Sequence, residues 1–169
     1  MRILAMAGVA LMPSTAFALD MIDGLAEKLD AKRIIDIQHS KTPPPEAPLL
    51  AVRFVRNGDY APTCGLIQKN GKYVDLVSPE PGQSLPACAA PLKAPVFFSS
   101  KSHYVVYEYQ TEDPKHTITQ TFQLFKMANN EITKCKNDNQ LTDAAQKTTK
   151  TQGVALSFKN AVMNLGCKQ

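Results

Sequence analysis

The sequence predicts an α+β domain that is mainly antiparallel β. A blade-like four-stranded meander and an additional hairpin are flanked by N- and C-terminal helices and braced by disulfides. Three observations carry this expectation. Between Val96 and Cys135, strand-like runs, mostly alternating apolar and polar residues, are separated by polar turn segments. Asn70-Gly71 separates two further strand-like runs, Gly65–Lys69 and Lys72–Val77. Helical periodicity marks both ends of the chain, and four cysteines lie between residues 64 and 167.

The chain begins with Arg2, an apolar stretch from Ile3 to Met12 and the triplet Ala16-Phe17-Ala18. This is the layout of an export signal, too short to span a bilayer. It predicts a signal peptide over 1–18, cleaved after Ala18, and a single β-rich domain over 19–169 in the periplasm. No Cys follows the cleavage point, which argues against a lipid anchor. Leu19–Asp30 is then predicted helical. Asp20 is placed to cap it, and Ile22, Leu25, Ala26 and Leu29 share one face. Gly24 weakens this helix by about 1 kcal/mol relative to Ala.

Arg33–Gln38 is strand-like through Ile34, Ile35 and Ile37. Thr42–Pro48 holds four prolines and reads as a stiff polyproline-like connector. Leu49–Arg56 alternates, with Leu50, Val52 and Phe54 opposite Ala51, Arg53 and Val55. The Asn70-Gly71 hairpin is predicted to use a type I′ turn, which sets Ile67 opposite Val74 and Gln68 opposite Tyr73. Ser78–Pro95 carries Pro79, Pro81, Pro86, Pro91 and Pro95 and is expected to be an extended surface loop.

The meander starts at Val96–Phe98 and turns at Ser99–Ser102. In His103–Gln110, Val105, Tyr107 and Tyr109 point one way, and Tyr104, Val106, Glu108 and Gln110 the other, the pattern of a half-buried strand. Thr111–His116 breaks it, since Asp-Pro favours a turn. Ile118, Gln120, Phe122 and Leu124 share the next face, Asn129-Asn130 turns the chain, and Glu131–Cys135 is the fourth strand. Lys136–Thr151 is polar, with a short helical stretch expected at Leu141–Lys147. Val154–Leu165 lines up Val154, Phe158, Ala161, Val162 and Leu165 and ends at Gly166, a helix with its C-terminal glycine.

Several chemistries find no support in the residues. The formal net charge is +4 with scattered basic residues, so nucleic acid is not implied. No later run is apolar enough for membrane insertion. The cysteines Cys64, Cys88, Cys135 and Cys167 show no C-x-x-C spacing, so no metal is expected. In an exported chain their even number reads as disulfides. Three pairings exist; the shortest loops favour Cys64–Cys88 and Cys135–Cys167, each contributing about 2–4 kcal/mol. No nucleophile elbow or cofactor motif is present, and no cofactor is expected. Ser99, Ser100 and His103, or Glu108 with Glu112 or Asp113, read as surface polar groups rather than catalytic sets. Tyr104, Tyr107 and Tyr109 read as cross-strand packing rather than a sugar platform. The chain is therefore expected to bind rather than to catalyse.

The run VFFSSKSHYVVYEYQ, continued by FQLFKMANNEITKC and a C-terminal cysteine, resembles the periplasmic immunity proteins of type VI secretion systems. The layout is similar to those that neutralise cell-wall amidase effectors. The resemblance implies a secreted hydrolase effector as protein partner and a loop between two strands that plugs its cleft. The matching loop here is Thr111–Thr117. It offers Thr111, Glu112, Asp113, His116 and Thr117 as partner-binding residues, but lacks the paired small hydroxyl residues of the family's loop. The other reading is a non-catalytic envelope module that binds glycan or peptidoglycan.

Overall fold

The computed structural model describes residues 24–39, 50–68, 70–90, 93, 95–129 and 131–168. The predicted signal peptide, residues 19–23 of the predicted first helix and the Thr42–Pro48 connector lie outside these.

Four layers stack as helix, sheet, sheet and helix pair. The first layer is α1 (24–28), followed by a four-stranded antiparallel sheet in chain order: β1 (Ala31–His39), β2 (Leu50–Arg56), β3 (Thr63–Ile67) and β4 (Tyr73–Val77). The second sheet has five strands: β5 (Ala87–Cys88), β6 (Val96–Ser100), β7 (Ser102–Glu112), β8 (Ile118–Ala128) and β9 (Glu131–Lys134). Strands β6 to β9 pair in sequence order, which is the expected meander. Strand β5 lies beyond β6 on the same edge of β7. Two helices, α2 (Asp138–Gln152) and α3 (Val154–Leu165), close the stack.

Burial explains the layering. Ala51, Cys64 and Leu66 of the first sheet meet Val105, Tyr107, Tyr109, Phe125 and Met127 of the second in one apolar cluster. The opposite face of the first sheet packs Val52, Phe54 and Ile67 against Leu25 of α1 and Leu29 just past its end. The opposite face of the second sheet packs Tyr104, Val106, Phe122 and Leu124 against Leu141, Ala145, Phe158 and Ala161. His103–Gln110 is thus buried on both faces through most of its length, not half-buried as its alternation suggested. Val105, Tyr107 and Tyr109 fill one face and Tyr104 and Val106 the other, and all are apolar enough to serve an inner layer.

Both bridges form as expected, Cys64–Cys88 with Cα atoms 5.6 Å apart and Cys135–Cys167 with Cα atoms 5.2 Å apart. The first joins β3 to β5, and so one sheet to the other. The second joins the end of the meander to the chain just past α3.

Three further expectations need correction. The β3–β4 turn is not a two-residue type I′ turn. Gln68 N–H donates to the Lys72 carbonyl at 2.9 Å, Gly71 N–H donates to the Gln68 carbonyl at 2.8 Å, and Gly71 sits at φ +79°. The loop is one residue longer than predicted, with Gly71 in a left-handed position. Leu66 therefore pairs with Val74 and Ile67 with Tyr73. Val74 turns inward and Tyr73 covers Phe54 on the outer face. Second, α2 runs the full Asp138–Gln152, far beyond the short stretch at Leu141–Lys147. Its apolar stripe is little more than Leu141 and Ala145, too sparse to see by periodicity. Third, Ser78–Pro95 is not wholly a surface loop, since Ala87 and Cys88 are buried as β5.

Candidate functional site at the hairpin tip

Strands β7 and β8 are the longest of the fold, paired without a register shift from His103↔Met127 to Glu112↔Ile118. The loop between them is built by Asp113. Its Oδ1 accepts the backbone N–H of Lys115 at 2.8 Å and of Thr117 at 2.9 Å. Its carbonyl accepts His116 N–H at 2.9 Å, and its own N–H donates to the Thr117 carbonyl at 3.2 Å. This is an Asx-type turn in which the side chain replaces a backbone acceptor. Pro114 presets φ, and His116 takes the left-handed position at φ +60°. His116 Nδ1 lies 2.7 Å from Glu112 Oε1. Thr111 Oγ1 lies 3.2 Å from Thr121 Oγ1 across the strands.

The five residues proposed from sequence thus share one tip. Their roles divide, however. Asp113 shapes the loop through Oδ1, Glu112 pairs with His116, and Thr111 pairs with Thr121. The exposed surface is made by Pro114, Lys115, His116, Thr117, Ile118, Thr119 and Gln120. Ile118 is 60% exposed, an unusual setting for a large β-branched side chain. Sequence reasoning missed Lys115, Ile118 and Gln120. The signal was there: the apolar face predicted for Ile118 to Leu124 continues past the helices that cover Phe122 and Leu124.

A second loop meets this tip. Strand β5 pairs Ala87 with Glu112 and Cys88 with Thr111. Cys88 N–H also donates to the Pro62 carbonyl, and Ala89 N–H to the Gln110 carbonyl, both at 2.9 Å. The bridge to Cys64 holds this short strand against β3. The residues just before it are thereby placed beside the β7–β8 turn. Gly82, Gln83, Ser84 and Leu85 form one wall, and Pro114 and His116 the other, of an open groove of about 420 Å³. The proline-rich loop and the hairpin loop are two sides of one surface.

Other candidate groups are placed as follows. Ser99 Oγ and His103 Nδ1 are 3.0 Å apart as a directly opposed pair in the β6–β7 hairpin. Sequence proximity alone did not predict that contact, and no carboxylate bonds His103 among the described residues. Glu108 is engaged by Lys93 and by Gln120 Nε2 at 2.6 Å. Tyr104, Tyr107 and Tyr109 are each no more than 5% exposed, so they pack the core and offer no sugar platform. Burial, aided by the nearby Asp138 charge, pushes the Tyr109 phenol up to about 12, and burial raises that of Tyr107 as well. Among the described residues no group of three or more His, Cys, Asp or Glu side chains gathers as a metal would require, and no helix is long and apolar enough to cross a membrane.

No family model matches the chain, and no curated protein or solved structure matches it.

Proposed function

We propose that this protein is a periplasmic inhibitor of the immunity type, which blocks a secreted cell-wall-degrading effector by seating the β7–β8 loop in its active-site cleft. The observation that carries this reading is the pre-organised tip. A turn fixed by one carboxylate and one proline crowns the longest hairpin, and its outer residues are exposed. A loop already in its bound shape loses less conformational entropy on docking. A rigid scaffold presenting such a loop is the form an inhibitor needs to reach into an enzyme's cleft. The 81–86 segment widens the contact to two loops.

The test is inhibition and binding with purified secreted peptidoglycan hydrolases, after capture of candidates from periplasm. Replacing Lys115 and His116 together by Ala should weaken the complex by more than about 2 kcal/mol, as truncation of central interface residues does. Failure to capture or inhibit any hydrolase would remove this reading.

A second reading rests on a different surface. Tyr60 is 81% exposed and lines a groove with Lys32, Arg33, Val55 and Asp59. An exposed aromatic ring beside two cations suits an anionic glycan. Co-sedimentation with cell wall that is lost in Tyr60→Ala, and unaffected by the tip variants, would select this envelope-binding reading instead.

A further inference from the structure

The free half of strand β8 carries an inference that goes beyond the inhibitor reading. One edge of β8 is paired with β7 along its whole length, from Ile118 to Met127. The other edge is paired with β9 only from Phe125 to Ala128. The outward groups can be assigned by parity, because bonding direction alternates along an antiparallel strand. Leu124 N–H points away from β7, since it donates to Asp138 Oδ1 at 3.1 Å. By the same alternation, the N–H and C=O groups of Ile118, Gln120 and Phe122 point to that edge. Among the described residues no strand or side chain bonds them.

The outer edges at β1, β4 and β9 are blunted. Strand β1 has two register shifts against β2 and carries Lys32, Arg33 and Asp36. Strand β4 carries Asp75 and pairs with β3 through a register shift. Strand β9 is short, carries Glu131 and Lys134, and has its Ile132 N–H taken by Gln68 Oε1 at 2.9 Å. Charges, bulges, short strands and capped groups are how sheets avoid unwanted pairing. The stretch Ile118–Gln123 has no charge, no proline and no bulge.

We infer that this edge pairs with the same edge of a second copy of the chain, joining the two five-stranded sheets antiparallel about a two-fold axis at Gln120. This register uses the free groups and leaves Leu124 to Asp138. Gln120 faces the second copy's Gln120, and Ile118 faces the second copy's Phe122 on each side. Each of these pairs exchanges two N–H···O=C bonds. Between them, Thr119 lies opposite the second copy's Thr121, a favourable cross-strand pair. The exposed Ile118 gains an aromatic neighbour on the same face. The segment reads the same way to a copy of itself: Ile, Thr, Gln, Thr, Phe is matched by Phe, Thr, Gln, Thr, Ile. Closure by a two-fold axis also ends the pairing at two copies, so an unguarded edge does not propagate.

Sedimentation velocity of the purified protein over a concentration series tests this. The expected result is a concentration-dependent monomer–dimer equilibrium. Gln120→Pro removes an outward N–H and the exposed side-chain bond to Glu108 but keeps the backbone bonds to β7, so it should abolish the dimer while circular dichroism stays native. Ile118→Lys sets a charged side chain opposite the second copy's Phe122 in both outer pairs and should abolish the dimer independently. Amide exchange should protect Ile118, Gln120 and Phe122 in the dimer, with protection lost on dilution. A monomer at every concentration would overturn the inference, as would a dimer unaffected by both variants. Protection that persists in the monomer would assign the edge to another segment of this chain. Protection gained only on adding a hydrolase would assign it to that partner, and either result would also overturn the inference.

Discussion

The two sheets of this molecule are built to different rules. The first sheet interrupts its own pairing three times, between Ala31 and Arg33, between Ile34 and Asp36, and between Cys64 and Gly65. Each interruption adds local twist and bends the strand. The second sheet pairs β7 with β8 in one unbroken register and ends in an exposed tip. The contrast assigns the sheets separate tasks. The first is a cover, shaped to lie on the inner core, with Arg56 pairing Asp75 at 3.0 Å and lying over the Phe54 and Tyr73 rings to finish its surface. The second is the frame that carries the tip past the covered layers. Damage to the cover should cost stability and spare the tip, whereas damage to the frame's loop should do the reverse.

The Cys64–Cys88 bridge is where this division is weakest, because it ties the cover to β5 and so to one wall of the tip groove. Replacing both cysteines by Ser should produce the largest effect, a loss of about 2–4 kcal/mol by chemical denaturation. It should also reduce partner binding, since β5 positions the 81–86 wall. Next comes Gly65→Ala. A Cβ at Gly65 would run into the Tyr73 ring, which must then leave its place beside Phe54 and its 2.5 Å bond to Asp75. Overpacking of this kind costs about 1–3 kcal/mol. Binding at the tip should remain unchanged. A loss of binding equal to that of the cysteine variant would show that cover and frame are not separable.

Asp113→Ala should act in the opposite sense. It removes the acceptor of two backbone N–H groups in an exposed loop, so the cost to folding should be modest, about 1 kcal/mol, as for a lost cap. Amide exchange at Lys115 and Thr117 should accelerate locally, and partner affinity should fall by more than the loss in stability. An affinity that tracks stability alone would mean that the turn's rigidity contributes nothing to recognition.

How much of this was readable in the sequence follows the same division. The meander was legible because β-branched and aromatic residues alternate from His103 to Gln110 and turn residues separate the runs. The disulfide pairing was legible because local loops are the shorter closures. The β3–β4 register was not, because Asn-Gly serves a two-residue turn and a three-residue turn with a bulge equally well, and only packing of Tyr73 on Phe54 decides. Helix α2 was hidden by a polar sequence that needs the second sheet to bury Leu141 and Ala145. At the tip, the loop's place and composition were legible. That Asp113 is turned inward was not, because an Asx turn depends on backbone N–H groups that no side-chain pattern records. The convergence of the 81–86 segment on the same groove was also hidden. It depends on a two-residue strand, β5, too short to leave a periodic trace.

The smallest effect concerns Asp138, which marks where the guarded part of the β8 edge ends. Its Oδ1 takes the Leu124 N–H at 3.1 Å, and its Oδ2 lies 3.4 Å from Lys134 Nζ. Burial raises its carboxyl above the ordinary value of 3.8, and the Leu124 N–H and the Lys134 charge oppose that rise without cancelling it. The folded protein therefore holds the proton more tightly than the unfolded chain. By linkage, the stability this provides is fully present below the unfolded pKa and is lost as pH rises through the folded one. Asp138→Asn keeps the acceptor for Leu124 and cannot ionise, so it lacks this dependence. Denaturation of both proteins from acid to neutral pH should show the variant gaining on the wild type as pH rises through the window above the ordinary aspartate range. A wild type that instead gains on the variant as pH rises would mean that Lys134 outweighs burial. The end of β8 would then be held by an ion pair rather than by a buried hydrogen bond.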